Sequence, residues 1–237
     1  MNTYQESFRI RYSDCDRYGK LKLQAVFDYA QEIAGNHAQR LGFGDQLRKE
    51  RNLAWVLSRM KLRIREYPKS ETQVKVTTWS SGYNRVFATR ELRFTTGAED
   101  RVFAEATSCW LLVNMETSRV AIPQRELAAF HLDEQGIERI FTDLDKLQGN
   151  PDAPVMGSFS IYEHQIDINS HLNNTEYASI LQDAIGFGCY PTELQINYQK
   201  EIPPSSTVVV RGTREAGRFS LTGYLDGEES FNVIGLY

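Results

Sequence analysis

Asp167-Ile168-Asn169-Ser170-His171-Leu172-Asn173-Asn174-Thr175-Glu176-Tyr177 is the stretch from which the rest of the chain can be read. Asp167, Asn169 and His171 alternate, and on an extended backbone alternate side chains share one side. The pair Asn173-Asn174 is a natural helix N-cap, and Tyr177, Ile180, Leu181 and Ala184 follow at helical spacing, which predicts a helix over about residues 174–186. A carboxylate, an amide and an imidazole then meet where backbone N–H groups lack intrahelical partners, a setting that stabilises a developing oxyanion. Asp and Asn also favour turns and caps in their own right, so the spacing alone leaves turn chemistry open.

The stretch has a counterpart earlier in the chain. A shift of 151 residues sets Asp16 on Asp167, Leu21 on Leu172, Gln31 on Gln182 and Glu32 on Asp183. A shift of 135 sets Arg65-Glu66-Tyr67-Pro68 on Lys200-Glu201-Ile202-Pro203, Thr72 on Thr207 and Val74 on Val209. Two ordered blocks of matches point to an internal duplication, with the segment between helix and next strand shorter in the second copy. Each copy reads as a strand, one helix and a run of strands. In the first, Phe8–Tyr12 is extended and Leu23–Leu41 is helical, with Val26, Tyr29, Ala30, Ile33 and His37 on one face; strands follow at Ala54–Arg65, Gln73–Ser80, Val86–Thr95 and Arg101–Asn114. In the second, Phe159–Gln165 precedes the helix, and strands follow at Glu193–Gln199, Thr207–Thr213, Phe219–Leu225 and Ser230–Tyr237. Gly97-Ala98-Glu99-Asp100, Ala216-Gly217 and Asp226-Gly227 read as hairpin turns. One long helix per run of antiparallel strands is an α+β arrangement in which each sheet wraps its helix. The halves divide as 1–130 and 157–237, and 131–156, ending in Gln148-Gly149-Asn150-Pro151-Asp152-Ala153-Pro154, has the composition of a linker with a charged, helix-capable start.

Composition excludes several classes. With 41% hydrophobic and 24% charged residues, the 237-residue chain can bury a sizeable core and is no disordered polymer. A formal charge of −4 gives no support for nucleic-acid binding. No apolar run is long enough to span a membrane, and the N-terminal residues lack the basic-then-apolar pattern of a signal segment. Cys15, Cys109 and Cys189 form no CxxC pair, which argues against a disulfide framework or zinc site and fits a reducing cytoplasm. Neither metal-ligand spacing nor a glycine-rich nucleotide loop is present, so no cofactor is expected.

The motif Asp167-Ile168-Asn169-Ser170-His171-Leu172-Asn173-Asn174, followed by Tyr198-Gln199-Lys200-Glu201, resembles the D-x-N-x-H-x-N-N loop and downstream acid of the acyl-acyl-carrier-protein thioesterases of plastids and bacteria. Trp55-Val56-Leu57-Ser58-Arg59-Met60, Thr78-Trp79-Ser80-Ser81-Gly82 and Ala106-Thr107-Ser108-Cys109-Trp110 carry the resemblance through the first half. It implies two tandem hot-dog units, each an antiparallel sheet wrapped around one long helix. It also implies hydrolysis of fatty acyl thioesters carried on acyl carrier protein, with Asp167, Asn169, His171 and Glu201 as the catalytic set. The absence of a transit-like start favours the bacterial type. Many plant members have a cysteine after the acid, once proposed as a nucleophile; Ile202 stands there, so that mechanism is not available.

A thioester is already activated, so hydrolysis needs a placed water, a base and an oxyanion site. His171 and Glu201 would activate the water. Asn169 or an N–H near Asn174 would polarise the carbonyl, and Asp167 would hold the loop. Direct attack by a carboxylate stays open, as does Asp183 as the alternative acid. The first copy has Asp16, Tyr18 and Lys20 in the loop positions and Glu66 in place of Glu201, so one active site is expected, in the second copy, with the first left to hold substrate. His37 reads as packing, and His131 and His164 have no distinctive context. Arg59, Lys61, Arg63 and Arg65 alternate with Met60, Leu62 and Ile64, which makes a cationic sheet face that either steers acidic acyl carrier protein or is an ordinary solvated surface. An acyl-CoA thioesterase, a hot-dog 3-hydroxyacyl dehydratase and an acyl-binding module are the competing readings. Exposed strand edges are able to pair into a homodimer.

Overall fold

A computed structural model describes residues 3–127, 137–186 and 188–237. The first half contains β1 (Thr3–Arg9), α1 (Leu23–Arg40), α2 (Asp45–Arg51), β2 (Leu53–Ile64), β3 (Gln73–Asn84), β4 (Phe87–Thr96), β5 (Arg101–Asn114), β6 (Arg119–Ala121) and α3 (Pro123–Glu126). The second contains β7 (Val155–Ser160), α4 (Glu176–Ile185), β8 (Glu193–Tyr198), β9 (Thr207–Glu215), β10 (Arg218–Leu225) and β11 (Glu228–Leu236). Among the described residues the strands form one antiparallel sheet, in the order β1-β3-β4-β5-β2-β8-β11-β10-β9-β7, with β6 beside β5. The order is a palindrome: read inward from either edge, each half lays down its strands in the same sequence. The halves join where Arg59–Arg63 of β2 pairs with Asn197–Glu193 of β8.

The alternation in β2 sends Met60, Leu62 and Ile64 inward, and the β-branched runs of β3 and β9 do the same with Val74, Val76, Val208 and Val210. Helices α1 and α4 cover that face, and their apolar stripes join the inner faces of both halves in one buried cluster. Tyr177, Ile180 and Leu181, each less than 5% exposed, anchor α4, and burying a side chain of this size contributes roughly 1.5–3 kcal/mol. The expected hairpins are present: Asp226 and Gly227 both have positive φ, the geometry a two-residue β-turn with right-handed twist demands. No described helix is long and apolar enough to cross a membrane.

The duplication is visible in small features. The 3-10 turns Tyr12–Asp14 and Glu163–Gln165, and the bridges Cys15 to Leu21 and Ile166 to Leu172, are related by the same shift of 151 residues. The strands expected at Phe8–Tyr12 and Phe159–Gln165 instead end at Arg9 and Ser160. In each case a side chain takes over the main chain: Asp14 accepts the Arg11 N–H, and Gln165 accepts the Tyr162 N–H. These local bonds compete with ladder pairing and turn the chain toward the helix.

The expected linker behaves differently from its composition. Its charged start, with His131, lies outside the described residues. From residue 138 the chain runs as an extended strap over the sheet face opposite the helices. Trp79 Nε1 donates to the Glu138 carbonyl (2.8 Å), the Ile140 N–H donates to buried Glu91 (3.1 Å), and the Phe141 N–H donates to Thr107 Oγ1 (3.0 Å). Further on, Lys61 pairs with Asp143 (2.7 Å), and Gln195 donates to the Asp145 carbonyl (2.7 Å). This strap also changes the meaning of the cationic stripe. Arg59 donates to the Leu144 carbonyl, Lys61 and Arg63 lie over the Phe141 ring and pair with Glu193, and Arg65 pairs with Glu105. The four cations do share a face, but each is engaged within the protein.

Candidate active site

The site forms where a loop before α4 meets the segment after β8. Buried Leu172 donates its N–H to the carbonyl of buried Ile202 (2.8 Å). Their chain neighbours His171 and Glu201 are therefore held side by side, with Nε2 3.3 Å from Oε1. Glu201 is 67% exposed and His171 28%. On the other side of the imidazole, Nδ1 lies 3.8 Å from Asp167 Oδ1. Asp167 accepts the Asn169 N–H (2.8 Å) and its side-chain amide (3.2 Å), so all four expected residues form one connected group.

The backbone that brings them together is not the extended one expected. Asp167 donates its N–H to the His171 carbonyl and Ser170 donates to the Asp167 carbonyl, closing a tight loop with Ser170 at φ +70°. Gly19 takes the same left-handed conformation in the first copy, at φ +72°. A serine there is strained where a glycine is not, a cost met more often at functional loops. The cap also differs: α4 begins at Glu176, preceded by Thr175, and Asn173 acts earlier by accepting the Thr175 N–H (3.1 Å). The Tyr198 hydroxyl donates to the Asn174 carbonyl (3.1 Å), and Gln165 and Gln24 both donate to Glu176, which ties the loop to the start of α4 and to α1.

The alternative groups are elsewhere. Asp183 is exposed on α4, about 10 Å along the axis from its first residue. In the first copy, Asp16 accepts the Tyr18 and Lys20 N–H groups, so the loop keeps its shape without amide or imidazole, and Glu66 is turned to Arg101 (2.8 Å). His37 is buried, stacked on Tyr4 and bonded to Arg90 (2.9 Å), as a packing role requires, while His164 is exposed and stacked on Tyr162. Cys109 and Cys189 are buried, and desolvation pushes the Cys109 thiol up to about 11, away from thiolate chemistry.

Beside the loop, Asn174 and Thr175 join Phe27, Ala30, Ala34, Leu57, Met60 and Leu92 of the first half in lining a narrow crevice of only about 20 Å³. Sequence reasoning did not single out these residues. It also missed Arg48 of α2, whose Nη1 donates to Asn169 Oδ1 (3.1 Å). The fall in offset from 151 to 135 marks extra chain in the first copy, but α1, β2 and the connection between them share it, so it does not point to α2 by itself.

Residues 1–130 match the family described as acyl-ACP thioesterase N-terminal domain, and residues 150–232 match the acyl-ACP thioesterase C-terminal domain. A chloroplastic acyl-[acyl-carrier-protein] hydrolase of Cuphea viscosissima is 24% identical over 213 residues, 84% of this chain and 52% of the relative. The chain spans about half the length of several curated relatives it matches. The solved acyl-ACP thioesterase from Bacteroides thetaiotaomicron superposes with a TM-score of 0.83 at 20% identity, covering 99% of this chain and 97% of that one. The 12:0-ACP thioesterase from Umbellularia californica gives 0.83 at 20% identity, covering 100% and 97%. At such identities superposition speaks for fold. The domain matches, which take in both the crevice-lining half and the Asp167–Glu201 group, speak for descent, and the chain belongs to the acyl-ACP thioesterase family.

Proposed function

We propose that this chain hydrolyses fatty acyl thioesters carried on acyl carrier protein, releasing the free acid and ending chain elongation. The observation that carries the reading is the His171–Glu201 pair at 3.3 Å, linked through Asp167 to Asn169, in a member of this family. The architecture proposed with it is two tandem hot-dog units, residues 1–130 and 157–237, joined by residues 131–156. The first holds the acyl chain and the second performs the chemistry.

In this mechanism Glu201 and His171 take a proton from water as its oxygen attacks the carbonyl carbon. Asn169 Nδ2–H, or the Asn174 N–H, which takes no part in the turn's internal bonding, stabilises the oxyanion. The intermediate then collapses, the C–S bond breaks, and the carrier thiolate receives the proton held at the site. Glu201 beside the imidazole favours its acting as base over its attacking as nucleophile. Three free thiols fit a reducing compartment such as the cytoplasm. The test is a panel of acyl thioesters of graded chain length on acyl carrier protein and on CoA, with His171→Ala as control. Faster turnover on the carrier, lost in the variant, is expected. Absence of thioester hydrolysis, or activity indifferent to His171→Ala, overturns the assignment; equal or better turnover on CoA replaces the carrier with CoA.

A further inference from the structure

We propose that Arg48, from the half of the chain without a catalytic set, is a positioning residue that fixes the orientation of the Asn169 amide. The inference rests on the role given to Asn169 above.

Asn169 has two neighbours of opposite hydrogen-bonding character. Arg48 Nη1 donates to Oδ1 at 3.1 Å, and Asp167 Oδ2 accepts from Nδ2 at 3.2 Å. A guanidinium only donates and an ionised carboxylate only accepts. An amide turned over would set its NH2 against the guanidinium and its oxygen against the carboxylate, so the two neighbours together permit one orientation. In that orientation one Nδ2 hydrogen is used by Asp167, and the second remains to meet a carbonyl oxygen. Without Arg48, Asp167 alone restrains the amide, and the group rotates about its remaining bond.

The Arg48 side chain is exposed, but the helix that carries it is anchored. That helix, α2, lies in a connection that is longer in the first copy: twelve residues, 41–52, separate α1 from β2, against seven, 186–192, between α4 and β8. Leu47 anchors α2 in a second apolar cluster with Phe43, Leu53, Leu112 and Leu127, and Arg51 donates to the Glu126 carbonyl. The pseudo-symmetric connection makes the corresponding crossing in the other direction, where Tyr190 donates to Asp16 (2.6 Å). Each half thus reaches across to the other's loop. In the first copy the visitor ties down a loop with no catalytic set; in the second it presents a donor to the one amide in the group.

The experiment uses the whole chain and a fatty acyl thioester of N-acetylcysteamine, a small substrate without phosphate or carrier. Arg48→Met, which keeps the stem and removes the donors, should lower kcat roughly 10- to 100-fold with KM within about 2-fold, because misplacing one group in a catalytic geometry costs on that order. Arg48→Lys, which retains a donor, should recover part of the loss. The melting temperatures of both variants should match the parent. In an Asn169→Ala background, Arg48→Met should cost nothing further, since it acts through the missing amide. Asn169→Ala with parental kcat removes Asn169 from the mechanism, a failure of the functional reading that the single variant reveals by itself. An impaired Asn169→Ala beside a fully active Arg48→Met overturns the positioning role alone. So does an Arg48→Met loss that is undiminished in the Asn169→Ala background. A defect confined to KM for acyl-CoA, absent with the small thioester, also overturns it and assigns Arg48 to a phosphate.

Discussion

Glu201→Gln is the substitution that bears most directly on the proposed chemistry, because the structure separates its effect on activity from its effect on folding. The Glu201 side chain is 67% exposed and meets the protein mainly through His171 Nε2 at 3.3 Å. An exposed pair of this kind contributes at most about 1 kcal/mol, so the melting temperature should hardly move. Activity should respond very differently. Glutamine keeps the shape and a hydrogen bond to the imidazole but cannot take a proton from water, and losing a general base typically costs 10²–10⁴-fold. A 10²-fold fall in kcat/KM corresponds to about 2.7 kcal/mol in the barrier. Glu201→Asp should fare nearly as badly, since removing one methylene withdraws the carboxylate by about 1.5 Å from a contact already at the limit of hydrogen bonding. His171→Ala should match Glu201→Gln, and the double variant should be little worse than either, as expected of groups acting as a unit. The assay is continuous detection of released thiol across substrate concentrations, paired with thermal melts. Glu201→Gln with kcat/KM within twofold of the parent and an unchanged melt would refute the reasoning and turn attention to Asp183.

Replacing Cys15, Cys109 and Cys189 together by alanine should leave kcat within a few-fold, with a modest packing loss at Cys109 and Cys189 seen in the melt; rapid stoichiometric inactivation of the parent by a thiol reagent, blocked by substrate, would contradict this. Glu91→Ala should destabilise by roughly 3 kcal/mol, because buried Glu91 accepts from Ser81, Thr107 and the Ile140 N–H, and their donors would be left unsatisfied. Limited proteolysis should then cut within residues 138–150, and an uncut strap in a destabilised variant would mean that the strap is held independently of Glu91. Asp14 supplies a pH signature. Burial pushes its carboxyl up, but Arg11 and the Tyr29 hydroxyl outweigh burial and hold it below the usual aspartate value. The native state therefore binds the proton less readily than the unfolded chain, and the stabilisation present at neutral pH is lost as pH falls below about 4. The stability difference between the parent and Asp14→Asn, measured by denaturant titration, should shrink over that window; a difference constant with pH would place the cost in packing.

Elements with strong local patterns were legible before any coordinates. The stripe Val26, Tyr29, Ala30, Ile33, His37 fixed α1 to within one residue at its C-terminal end, because an amphipathic period over five turns has few other solutions. Alternation in β2 correctly put Met60, Leu62 and Ile64 inside. Boundaries near Tyr12 and Tyr162 were misread, since single side-chain-to-backbone bonds from Asp14 and Gln165 ended the strands and leave no mark in hydrophobic period. What holds residues 138–154 in place was not legible for a related reason. Gly, Pro, Asn and Asp in residues 148–154 do describe irregular backbone, but composition is silent on whether other strands' side chains hold it.

The sequence by itself carried the two ordered blocks of internal matches, the two long helices and most of the strands, because each is a property of residue type at fixed spacing; the four candidate residues came from the motif's resemblance to a family, and α2, α3 and β6 were not expected. Tertiary structure decided what no spacing carries. It merged both halves into one sheet at β2 and β8, turned the 167–171 segment into a closed loop, and engaged the cations of β2 beneath the strap. It also brought Arg48 to Asn169, 121 residues away in the chain. Local pattern specifies which face of an element is apolar, whereas the pairing of polar groups across elements depends on where those faces are finally stacked.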